Sequence, residues 1–81
     1  MEKRYRWRVE YQPRFNTKNG AANKRTYETL RAHLEKNGPQ TRDALEVYAK
    51  SFRWHHQYSV NVPGGVEYVR WHISHGNLEE V

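Results

Sequence analysis

Five histidines and a run of arginines are the side chains in this sequence with the clearest chemical potential. His33, His55, His56, His72 and His75 raise imidazole ligation of a metal first. His72 and His75 stand three apart, and in a strand residues three apart point to opposite faces, which spoils them as a ligand pair. The chain has no cysteine, and no acidic residue stands at ligand spacing beside these histidines. No metal and no cofactor is therefore expected. No Ser/His/Asp arrangement or glycine-rich phosphate loop is present either, so an enzyme is not expected.

The arginines carry the stronger signal. Arg4, Arg6 and Arg8 alternate with Tyr5, Trp7, Val9 and Tyr11, the period-two pattern of a strand with one cationic and one aromatic face. Guanidinium groups two residues apart in a strand are separated by about 7 Å. That spacing is similar to that of successive phosphates along a nucleic-acid strand. A charged outer face is also how edge strands avoid aggregation, so the pattern alone does not choose a partner.

The net charge is +5, unevenly distributed. Residues 1–31 hold nine Lys/Arg against three Asp/Glu, and residues 32–81 hold five against six. An acidic partner would meet the amino-terminal third. The absence of cysteine excludes a disulfide scaffold and a cysteine-based zinc finger. No apolar run approaches the roughly 18 residues of a membrane span, and no secretory h-region follows the basic start. A single cytoplasmic domain over residues 1–81, with no membrane partner, is expected.

The elements that must position these groups follow from periodicity and punctuation. A first strand covers residues 4–11. Residues 12–20 are a basic loop, interrupted by Pro13 and closed by the turn pair Asn19-Gly20. A helix begins between Ala21 and Thr26 and ends at Asn37, where Gly38 and Pro39 stop it; Tyr27, Leu30 and Leu34 form its apolar stripe. Thr41 caps a second helix with Leu45, Tyr48, Ala49 and Phe52 inward and Arg42, Glu46, Lys50 and Arg53 outward. From Phe52 to Val62 apolar residues alternate, which predicts a strand; Pro63-Gly64-Gly65 predicts a hairpin turn, and residues 66–74 a return strand with a bulge between Tyr68 and Val69. Residues 78–81 read as a short acidic tail. The expected fold is α+β, in the order β-α-α-β-β: a three-stranded antiparallel sheet with a helix pair on one face. Its outer face would gather Arg4, Arg6, Arg8, Arg53, His55, Gln57, Ser59 and Asn61, with the aromatics, Trp71 included, packed inward.

Residues 26–50, with the step Asn37-Gly38-Pro39 followed by Thr41 and Arg42, resemble the first two helices of winged helix-turn-helix DNA-binding domains. The hairpin over residues 59–73, turning at Pro63-Gly64-Gly65, looks like their wing. The resemblance covers about half the chain and implies a recognition helix after the second one. That position falls on residues 51–61, whose alternation reads as a strand: either the recognition helix is short and aromatic, or the fold is a different one with a similar helix pair.

The leading expectation is a small basic DNA-binding protein, of the kind that phages and mobile elements encode. Arg4, Arg6, Arg8, Arg14, Lys18, Lys24 and Arg25 would meet the phosphate backbone, and Arg42, Arg53, His55 and Gln57 the base edges. The alternative is a protein-binding inhibitor or adaptor module docking an acidic partner surface.

Overall fold

Tyr5 and Trp7 turn one side of the opening strand toward the apolar core, while Arg4 and Arg6 turn the other side to solvent. In the computed structural model, which describes residues 2–16, 18, 20–55 and 61–81, this strand is β1 (Arg4–Trp7). It is shorter than its alternation predicts. A turn follows in which the Tyr11 N–H donates to the Arg8 carbonyl (3.0 Å), and Val9 swings out to 81% exposure. Tyr11 returns inward, stacked on Trp7 with ring centroids 5.4 Å apart.

The first helix, α1 (Gly20–Asn37), buries Thr26, Leu30 and Leu34. Gly38 stops it at φ 76°, a left-handed position favouring glycine, and its N–H donates to the Leu34 carbonyl (2.8 Å). The chain then forms β2 (Gln40–Thr41), antiparallel to β1 with Arg4 opposite Thr41. Thr41 also caps α2 (Arg42–Ala49), its Oγ accepting from the Ala44 N–H (3.1 Å). The cap is where the sequence places it, but the helix ends before Phe52, which is buried from the turn beyond.

The second half departs from its expected form. Residues 52–55 are turn rather than strand, 61–62 form a bend, and residues 56–60 of the expected strand lie outside the described residues. The expected hairpin turn and return strand are instead a helix, α3 (Gly64–Ser74), preceded by Pro63. Val66, Val69 and Ile73 stand at i, i+3 and i+7, and Tyr68 and His72 at i and i+4, so the parity switch read as a bulge was helical periodicity. Pro63, at φ −55°, has no N–H to leave unpaired at a helix start. Gly65 sits where α3 meets α2: a Cβ there would overlap the Ala49 carbonyl and lie 3.0 Å from the Phe52 Cβ.

The expected acidic tail is a strand, β3 (Leu78–Glu80), antiparallel to β1 with Trp7 opposite Leu78 and Arg6 opposite Glu79. The sheet order is β2-β1-β3. Among the described residues three helices and a small three-stranded antiparallel sheet make an α+β fold, in the order β-α-β-α-α-β rather than β-α-α-β-β. Leu30, Leu34, Leu45, Ala49, Phe52, Tyr68, Val69 and Leu78 form its core, with Tyr5 and Trp7 packed against them. No described helix is long and apolar enough to cross a membrane.

Candidate nucleic-acid interface

Placing β3 beside β1 changes the meaning of the arginine run. Arg6 Nε donates to Glu79 (3.1 Å), Lys3 lies 3.9 Å from Glu80, and Arg8 lies 3.9 Å from Glu10. Arg4 reaches back to the Pro39 carbonyl (3.3 Å). On the outer face of the sheet Arg6 is thus matched by Glu79 of the carboxyl-terminal strand and Arg8 by Glu10, while Arg4 meets only a backbone carbonyl. The other residues expected there lie elsewhere: Arg53 and His55 sit in the turn after α2 and Asn61 in the bend before Pro63, while Gln57 and Ser59 are outside the described residues. The sheet they were assigned to is built from β2 and β3 instead.

Other cations are left without carboxylate partners. Among the described residues Arg4, Arg14, Lys18, Lys24, Arg25, Lys36, Lys50 and Arg53 make no ion pair. One of them, Arg25, lies where the turn after α2 packs on α1, and Lys36 lines a groove with it. Thr26, fully buried, donates to the Ala22 carbonyl (2.9 Å) and accepts from Trp54 Nε1 (3.0 Å), which pins the turn to the helix. The Arg25 guanidinium then lies over the Trp54 ring, 4.3 Å from its centroid. Trp54 stacks on Phe52 (4.8 Å), Phe52 meets Tyr48 edge-on (5.4 Å), and Tyr48 stacks on His33 (4.0 Å). The result is a cation–aromatic ladder running from Arg25 to His33. Beside it a groove of about 610 Å³ is lined by Arg25, Glu28, Thr29, His33, Lys36 and Tyr48 among others. Arg14 lies in a separate cleft, shared with Tyr11, Asn23 of α1, His55 of the turn and Glu67 and Trp71 of α3.

Arg42 opens α2 and donates to Glu46 (2.6 Å), which also accepts from Arg70 of α3 (3.0 Å). Glu46 was expected on the solvent face, but its side chain is only 13% exposed. Burial pushes its carboxyl upward; the hydrogen bonds from Arg70 and Arg42 outweigh that and hold it below the ordinary range. Trp71, expected in the core, is 52% exposed and stacks on His75 at 3.7 Å.

Of the histidines, His33 stacks on Tyr48, His55 and His75 act on His72, and His56 lies outside the described residues. His72 is buried; Asn77 Nδ2 donates to its Nδ1 (3.0 Å), which leaves the proton of the neutral ring on Nε2. Desolvation first, then His75 and His55, push its pKa down to about 4. Burial likewise raises the Tyr68 phenol. Among the described residues no three His, Asp or Glu side chains are grouped to hold a metal ion. No family model matches the chain, and no curated protein or solved structure does.

Of the cations named from the sequence, Arg25 stands at this ladder, whereas Lys36, His33, Tyr48 and Trp54 were not expected beside it. The spacing of Arg25, Thr29, Ala32, His33 and Lys36 on one helical face was available as a signal. The contact of that face with the turn after α2 was not.

Proposed function

We propose that this protein binds nucleic acid, duplex DNA foremost, through its phosphate backbone, using the outer face of α1 and the turn that follows α2. The observation that carries the reading is the unpaired Arg25 guanidinium laid over the half-buried Trp54 ring, beside a groove that the unpaired Lys36 also lines. Phosphate contacts form most readily with cations that hold no carboxylate, and Arg25, Lys36 and Arg53 are such cations. Arg6 and Arg8, each beside a carboxylate, would contribute less than Arg4. The resemblance to winged helix-turn-helix domains belongs to the proposal: α3 follows α2 as a recognition helix would, on the stretch the resemblance gave to the wing, and Arg70 on α3 and Arg42 on α2 are the side chains offered to a groove.

A protein partner is the second reading, favoured by the exposed Trp71 stacked on His75, since exposed tryptophan is a frequent binding hot spot. Fluorescence anisotropy with a random-sequence duplex at two salt concentrations separates the two. Salt-dependent binding that weakens when Arg25, Lys36 and Arg53 are replaced by Gln supports the nucleic-acid reading. No binding at about 50 mM salt, where phosphate contacts are strong, refutes it.

A further inference from the structure

Between α1 and the segment running from β1 into the turn after it lies a groove of about 700 Å³ that the nucleic-acid reading does not use. Trp7, Tyr11, Tyr27 and Leu34 contribute an apolar, largely aromatic lining. Tyr11 stacks on Trp7, and Tyr27 meets Trp7 edge-on at 4.7 Å. The Trp7 indole nitrogen is buried with no acceptor among the described residues, held between the rings of Tyr27 and His72. Arg8 and Arg31 also line the groove, and with Arg6 they face a single lining carboxylate, Glu35.

Three features narrow what fits. The volume is within the roughly 300–1,000 Å³ typical of small-molecule sites, and an apolar lining with a few charged groups is their usual composition. Rings of tyrosine and tryptophan favour a planar ring as occupant, by offset or edge-on contact. The surplus of guanidinium over carboxylate favours an acid, because a planar guanidinium fork matches a carboxylate or phosphate. The carboxylates now near these arginines are weak competitors. Arg31 holds Glu35 at 3.0 Å and Arg8 is 3.9 Å from Glu10, both pairs solvent-exposed, and exposed pairs contribute little.

We propose that this groove binds a small planar aromatic acid, its ring laid against Tyr11 and Tyr27 and its acid group held by Arg8 and Arg31. The test uses the full chain labelled with ¹⁵N, titrated with 1-naphthoate and, separately, with 1-naphthalenemethanol, which keeps the ring and removes the charge. The three tryptophans give separate indole N–H signals, assigned by replacing each with Phe. A saturable shift of the Trp7 signal is expected, with naphthoate binding about tenfold tighter than the alcohol, the worth of one charge-assisted hydrogen bond. Arg8→Gln and Arg31→Gln, both at exposed positions, should each erase that advantage while leaving binding of the alcohol unchanged. Equal binding of the two probes, or perturbation centred on Trp54 or Trp71, overturns the proposal. So does a Trp7 signal that ignores naphthoate and responds only to a thymidine oligonucleotide or an acidic peptide.

Discussion

Acidification should unfold this protein through one imidazole. His72 is 5% exposed, wedged among Trp7, Tyr11, Tyr68 and Trp71, and its pKa falls from 6.5 to about 4. With a folded-state value below the unfolded one, the unfolded chain binds the extra proton between those limits. The stability associated with the neutral ring is therefore complete above about pH 6.5 and is lost progressively as the pH falls toward 4. Linkage over that interval gives roughly 2 kcal/mol lost between about pH 7 and pH 5, and about 3 kcal/mol in all by pH 4. For a domain of this size the first step lowers Tm by roughly 10 °C. His72→Gln keeps an acceptor for Asn77 and removes the titration. Its Tm at neutral pH will be lower than that of the natural chain, but the step from pH 7 to pH 5 should shrink to a fraction of the natural one. Thermal unfolding of both proteins, followed by circular dichroism across this range, measures the difference. Carboxylates stay mostly ionised down to about pH 5, so they add little to that comparison. If the two proteins lose the same stability between pH 7 and pH 5, burial of a neutral His72 is not what governs the acid limb.

Four further outcomes follow from the same geometry. Leu45→Ala, at a fully buried site, should cost about 2–5 kcal/mol in chemical denaturation. Glu46→Ala should cost about 1 kcal/mol rather than nothing, because it removes the shared acceptor of Arg42 and Arg70; the natural pair's contribution is full above the ordinary carboxylate value of 4.5 and is lost as pH falls through the lowered folded-state value. Gly65→Ala must push α3 away from the Ala49 carbonyl, and a loss of Tm larger than that of Gly38→Ala, at an open site with φ 76°, is expected by calorimetry. If four phosphate contacts form, log K against log salt should fall with a slope of about −3.6; replacing Arg25, Lys36 and Arg53 with Gln should remove most of it, whereas replacing Arg4, Arg6 and Arg8 with Ala should change it by less than about 1.

Where a short stretch of sequence contained both a pattern and its stop signal, the sequence by itself determined the element. The Leu30 and Leu34 stripe ends at Gly38, Thr41 begins the next helix, and Tyr5 and Trp7 face inward, all from interactions spanning a few residues. Residues 66–74 were ambiguous for the opposite reason. Their apolar side chains satisfy parts of both periods, and Pro63-Gly64-Gly65 opens a hairpin or a helix equally well. Packing of Val66, Val69 and His72 against the rest of the chain decided it. Residues 78–80 have too little pattern to specify any element, and they become a strand because β1 offers them a partner. Charge behaved the same way. Sequence alone showed a cationic amino-terminal third, yet the Arg6–Glu79 bond joins positions 73 residues apart, and Arg25 meets Trp54 only because Thr26 holds the turn. Local propensity acts over one or two turns of chain, whereas the field at a surface sums every charge that folding brings near it.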